Sequence, residues 1–334
     1  MRSTPHRSNP TTTIARKRVF SLVLLLVAVL VTACSSSDST TQTPRKSASA
    51  QSTDMPSSST SVNPLTVKDD GSWVLDMSAM KDGALSREWF TFDTYQKSVY
   101  DQGGEQIPAK GWNGENVAYT DRVKNARIED GVLVIEAHKE RLGGADYTSG
   151  HVTTKHKLDE QSGTFTLRAK LPSGKGTWPA IWMLPTDNAY GETYIPAKDA
   201  TFDWDLKTRK NGEIDMVETG VGLRGVIEAD IHTFNSAKQG AADIPVGSYS
   251  LGESMYNSFH DYSATRDASG IVIKVDDTPV LRYPRSNDPD SDPFNQPMHV
   301  LMNVAVGGSM GGTPNPADFP QRMEVASVSF VPGT

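Results

Sequence analysis

Asn211-Gly212-Glu213-Ile214-Asp215-Met216-Val217-Glu218-Thr219 places three carboxylates within six residues, inside an apolar frame of Ile214, Met216 and Val217. Side chains at i and i+2 of a strand share a face, so Glu213 and Asp215 point the same way. Glu218 lies five residues beyond Glu213, an odd step that a regular strand would aim at the other face. A β-bulge inserts one residue and restores the parity, and bulges are found beside active sites. The spacing therefore predicts a strand over 213–218, bulged around Met216-Val217, with all three carboxylates on one cleft. Carboxylates so crowded repel and push their pKa values apart.

One carboxylate kept ionised and one kept protonated is the arrangement glycoside hydrolysis needs. The competing reading is a strand with a solvated acidic face. Other stretches bear on the choice: Gly111-Trp112-Asn113-Gly114-Glu115 with Tyr119-Thr120-Asp121-Arg122, then Tyr147-Thr148-Ser149-Gly150, Trp178-Pro179-Ala180-Ile181-Trp182-Met183-Leu184 and Asn303-Val304-Ala305-Val306-Gly307-Gly308. In this order, together with the bulged E-x-D-x-x-E, they resemble glycoside hydrolase family 16 from about Trp73 to the end of the chain. They look like its GWGNNE…YTDR stretch (one residue shorter after the tryptophan), its YTSG, its WPAxWxL and its NxAVGG.

The resemblance implies a retaining enzyme with Glu213 as nucleophile, Glu218 as general acid/base and Asp215 tuning Glu213. That route needs the two reacting carboxyls ~5–5.5 Å apart. Trp178 and Trp182, four apart, share a strand face; the resemblance places them in the substrate groove, and core packing is the alternative. It sets His232 near the scissile bond, as a sugar or acid/base contact or simply as a structural histidine. Trp112, Asn113 and Glu115 match a groove-lining loop, or cap a turn. Asn303 is a weaker candidate, and Gly307-Gly308 most simply marks a tight turn.

The chain departs from the family pattern in four places. His151 stands where the family usually has a groove arginine. The stretch between Leu184 and Gly212 is longer than usual and carries Tyr190, Tyr194, Phe202, Trp204, Asp199, Asp203 and Asp205; it either walls one end of the groove or is a solvated insertion. Thr265-Arg266 replaces the usual Glu-Trp. Val325-Ala326-Ser327-Val328 lacks the aspartate that many members use for a structural calcium, an ion that wants several oxygen ligands. No cofactor or metal is therefore expected.

The 334 residues carry a net charge of −7, which argues against a nucleic-acid partner. The single cysteine, Cys34, excludes an intrachain disulfide and a thiol metal site. Arg16-Lys17-Arg18 precede an apolar run from Val19 to Val31 that is short for a membrane span. Val31-Thr32-Ala33-Cys34 resembles a bacterial lipobox, so 1–33 reads as a lipoprotein signal peptide and Cys34 as the lipidation site; an ordinary signal peptide or short anchor is the alternative. Residues 34–64, rich in Ser, Thr and Pro, read as a disordered tether, and 65–334 as one catalytic domain.

Within that domain Val132 to Ala137 follows an Asp130-Gly131 turn, and Phe165, Leu167, Ala169 and Leu171 alternate with polar residues. Further strands are expected at 178–184, 213–218, 226–234, 259–265, 270–275, 279–283, 297–305 and 323–331. No long 3.6-residue period appears. The fold class is all-β, a sandwich or jelly roll. The resemblance adds two curved antiparallel sheets of concanavalin A-like form with a concave substrate groove. The whole reads as a monomeric, lipid-anchored bacterial surface enzyme acting on a polysaccharide, in the laminarinase-like, endo-β-1,3-glucan branch. A galactan substrate (agarase, carrageenase or porphyranase type) or transglycosylation shares the motif. A non-catalytic glycan-binding lipoprotein is the rival from another class.

Overall fold

The computed structural model describes residues 63–92, 114–186, 212–233, 245–288, 292 and 294–333. Cys34, the signal peptide, almost all of the tether, Trp112, Asn113 and the 187–211 stretch with its aromatic and acidic residues lie outside the described residues.

The described chain forms two layers of β-sheet. The larger, twelve-stranded sheet runs β17 (Thr278–Pro284), β16 (Gly270–Val275), β15 (His260–Asp267), β10 (Gly163–Lys170), β19 (Gln321–Pro332), β7 (Val132–Leu142), β6 (Ala126–Glu129), β3 (Gly83–Ala84). The long β19 also pairs with β2 (Trp73–Asp76), which pairs with β1 (Leu65–Val67). On β7 sits β8 (Ala145–Ser149), beside β5 (Val117–Tyr119) in a parallel pair. The seven-stranded sheet runs β14 (Val246–Ser250), β13 (Val226–Thr233), β12 (Gly212–Glu218), β11 (Thr177–Pro185), β18 (Met298–Val306), β9 (His151–Thr153), β4 (Thr91–Phe92).

Alternation builds the core. Phe165, Leu167 and Ala169 of β10 and Val325, Val328 and Phe330 of β19 meet Ile181 and Met183 of β11, Ile214 of β12, Ile227 and Ile231 of β13 and Met302 of β18 in one buried cluster. Burying such side chains contributes about 1.5–3 kcal/mol each relative to exposure. The expected hairpin at Asp130-Gly131 is present, with Glu129 opposite Val132. Both turn residues take positive φ, 52° and 75°, as the two-residue turns that match strand twist require. Helix among the described residues is limited to pieces of four residues or fewer.

Arg266, which the sequence left without an explanation, is 1% exposed. Its guanidinium donates to the carbonyls of Phe294, Gln296 and Glu160. It fastens β15 to the segment entering β18 and to the turn before β10.

Candidate active site

The odd spacing of Glu218 is resolved as the parity argument requires. Asp215 pairs with Asp230 and Glu218 with Glu228, so three steps on β12 answer two on β13. Met216 and Val217 together oppose Ala229, and both are fully buried. Their apolar side chains belong to the core cluster along with Ile214, and inward packing of two successive residues makes the bulge. Against β11 the same irregularity falls between Ile181 and Trp182.

The face of the seven-stranded sheet turned away from the core then carries two cross-strand rows. One runs His151, Asn303, Ala180, Glu218, Glu228, Ser248. The other runs Thr91, Thr153, Leu301, Trp182, Asp215, Asp230, Val246. Glu213 adds a further pair with His232. The structure thus brings Glu213, Asp215, Glu218, Trp178, Trp182 and His232 onto one face, with Glu115 joined to it through hydrogen bonds.

The carboxylates differ in environment. Burial pushes Glu213 up to about 7, with His232 pulling it down and Asp230 pushing it further up. Burial likewise pushes Glu218 up to about 8; Asp230 adds to this, and the indole N–H of Trp178, 2.7 Å from Oε1, opposes it. Asp215, buried and facing Glu213, Asp230 and Glu218, is held well above the ordinary aspartate range. His232 Nε2 lies 3.2 Å from Asp215 Oδ2 and 2.9 Å from Asp230 Oδ1. Burial alone would lower His232, but these partners and Glu213 push it up to about 12, which favours the protonated ring.

Ligand atoms of Asp215, Asp230 and His232 lie within 4.8 Å of one another. The contacts of His232 Nε2 with both carboxylates account for that spacing.

Trp178 is 7% exposed and its N–H is engaged by Glu218. Trp182 is half-buried, stacked on His151 with ring centroids 5.7 Å apart. A relay of hydrogen bonds fixes it: Trp182 Nε1 donates to Asn303 Oδ1 (2.9 Å), Asn303 Nδ2 to Tyr119 Oη (3.2 Å), and Tyr119 Oη to Glu115 Oε2 (2.9 Å). Glu115 is buried and raised to about 7 by that burial, against the bond from Tyr119. Gly307 and Gly308 take positive φ, 76° and 74°, and Gly307 bridges to Glu115, so the glycine turn seats this end of the relay.

Asp230 and Tyr119 were not singled out from sequence. The signal for Asp230 was available: Glu228, Asp230 and His232 stand at i, i+2 and i+4 of one strand, the alternation already used for Glu213 and Asp215.

A two-layer β-sandwich with a bulged carboxylate strand on its open face is the architecture of a glycan-cleaving class. Residues 112–325 match the profile of glycosyl hydrolases family 16, and the chain belongs to that family. It is 36% identical over 208 residues to a β-glucanase of Rhodothermus marinus, covering 59% of this chain and 63% of the relative. It is 33% identical over 179 residues to glucan endo-1,3-β-glucosidase A1 of Niallia circulans, covering 50% of this chain and 23% of the relative. The chain thus spans less than two thirds of the length of either protein. Among solved structures, the laminarinase from Rhodothermus marinus superposes with a TM-score of 0.63 at 31% identity, over 78% of this chain and 97% of that one.

Proposed function

We propose that the protein hydrolyses internal β-1,3 linkages of a glucan with retention of anomeric configuration. The observation that carries this is the bulged β12 strand, which sets Glu213, Asp215 and Glu218 on one face. Burial raises both glutamates into the neutral range, where Glu218 can hold a proton as the acid while Glu213 ionises as the nucleophile. The Glu213 carboxylate attacks the anomeric carbon; the glycosidic C–O bond breaks, and its oxygen takes the Glu218 proton. Water then gives a proton to Glu218 and its oxygen attacks the same carbon, freeing Glu213. One water is consumed and both carboxyls return to their starting states. Asp215, kept protonated, hydrogen-bonds Glu213 and limits repulsion while Glu213 is charged. Trp182, held by its relay, offers a flat apolar surface for a sugar ring.

The names of the relatives support β-1,3-glucan as the substrate. The test is release of oligosaccharides from laminarin, mixed-linkage glucan, agarose and carrageenan by the full chain and by Glu213→Gln, with the anomeric form of the first product read by NMR. Laminarin products of retained configuration, absent with Glu213→Gln, are expected. Products from a galactan alone would move the substrate. Binding without any product would return the chain to the glycan-binding reading. We further propose that Cys34 carries a lipid anchor; Cys34→Ser is expected to move the protein from the membrane to the soluble fraction.

A further inference from the structure

The site contains a fourth carboxylate to which the proposed reaction assigns no step. Asp230 lies directly across the ladder from Asp215, and its Oδ1 is 2.9 Å from His232 Nε2. It projects from the same strand and the same face as His232, two residues away, so the two side chains stand side by side. Its side chain is 14% exposed, and little water is available to screen its charge. We propose that Asp230 is a positioning residue of this site, a fourth carboxylate that clamps the His232 ring against Asp215 and sets the charge balance beneath Glu213 and Glu218. The inference rests on the assignment of those two glutamates as nucleophile and acid.

His232 Nε2 faces two carboxylates, and Asp230 Oδ1, at 2.9 Å, is nearer to it than Asp215 Oδ2, at 3.2 Å. Burial pushes Asp230 up, but contact with His232 and Asp215 holds it below the ordinary aspartate range. Among the described residues, Glu213, Asp215 and Glu218 from β12 and His232 from its own strand interact with Asp230, and Glu228 stands two residues before it. From β14, its neighbours Val246 and Ser248 carry no charge. The anion repels ionisation of both glutamates and so preserves the proton that Glu218 donates. A neutral residue in its place would leave His232 paired through Asp215, remove one negative charge and let both glutamates ionise earlier.

The test is Asp230→Asn in the full chain, read by the pH dependence of kcat/KM on laminarin. Both limbs are expected to move to lower pH by roughly one unit or more, the size of a close-charge effect, and Asp230→Glu is expected to restore them in part. Limbs that stay in place while the rate falls would overturn the proposal. A second readout needs neither folding of the variant nor turnover. In the wild-type chain the imidazole nitrogens of His232, followed by NMR, are expected to remain protonated beyond pH 8; titration near 6.5, the ordinary histidine value, would overturn it. A wild-type chain that cleaves no glycan would defeat the functional reading instead, and a His232 that titrates near 6.5 in it would still overturn the role of Asp230.

Discussion

Trp178 and Asp230 act on the Glu218 proton in opposite senses. The indole N–H stabilises the charged carboxylate, whereas the neighbouring anion disfavours it. Trp178→Phe keeps the ring and deletes the donor, so Glu218 should hold its proton to higher pH. The expected outcome is an alkaline limb of kcat/KM shifted upward, with kcat lowered by up to about tenfold because a hydrogen bond worth about 0.5–1.5 kcal/mol no longer orients the protonated acid. A limb shifted downward would mean that the N–H does not act on Glu218. Arg266 is a residue of structural consequence away from this face. Arg266→Met would leave the carbonyls of Glu160, Phe294 and Gln296 without their donor. Each orphaned buried acceptor costs about 1–3 kcal/mol, so urea unfolding should show a loss of about 3 kcal/mol or more. The sequence marked this position only as a departure from a pattern, because three backbone acceptors contributed by distant turns leave no local trace.

At the scale of elements, the bulge of β12 can be removed without reversing the strand. Deleting Met216 leaves Asp215-Val217-Glu218 in strict alternation, with Asp215 still opposite Asp230 and Glu218 opposite Glu228. All three carboxylates keep their face. The expected variant folds, retains measurable hydrolysis, and loses about 2–5 kcal/mol for the missing core side chain. Inserting an alanine between Met216 and Val217 instead makes the step from Asp215 to Glu218 even, so Glu218 keeps its face but moves from opposite Glu228 to opposite Val226, about 6.6 Å along the strand, and hydrolysis is expected to be lost. Equal activity from the two variants would refute the register argument. The same alternation explains which strands were legible. Those over 163–170, 226–233 and 260–267 declare a buried face through period two, and the one over 212–218 does so only up to its bulge. The short strands Val117–Tyr119 and His151–Thr153 are buried at every position, so they have no period to read. Val246–Ser250 is an edge strand whose one-sided burial is slight, in an exposed–intermediate alternation. The three carboxylates of β12 were legible through their parity. Asp230 was legible as a face-mate of His232, but its place opposite Asp215 required the register of two strands, which only the folded ladder supplies.

Across the whole molecule, the open face is a set of buried acids, and that arrangement sets how stability varies with pH. Glu115, Glu213 and Glu218 have folded values of about 7, 7 and 8, raised by burial, and Asp215 is raised too. A raised acid binds its proton more tightly in the folded state. Its contribution is complete below the unfolded carboxylate value of about 4 and is lost as pH rises through the folded value. His232, raised to about 12, acts in the same direction, its contribution being lost above about pH 6.5. Groups of the opposite kind guard the acid side. Glu140, lowered to about 2 by its hydrogen bonds to Arg122 and Thr148, and Asp276, lowered by backbone bonding at Asp261 and by His260, favour folding above about pH 4 and lose that effect below it. Thermal stability should therefore peak near about pH 5 and fall toward about pH 8.5. Glu218→Gln removes one of the raised acids and should narrow the difference in Tm between those two conditions, raising Tm most at the alkaline end while abolishing turnover. Calorimetry of both proteins across this range decides the matter: a wild-type Tm that is flat or rises from about pH 5 to about pH 8.5 would show that the buried acids of the open face do not govern stability.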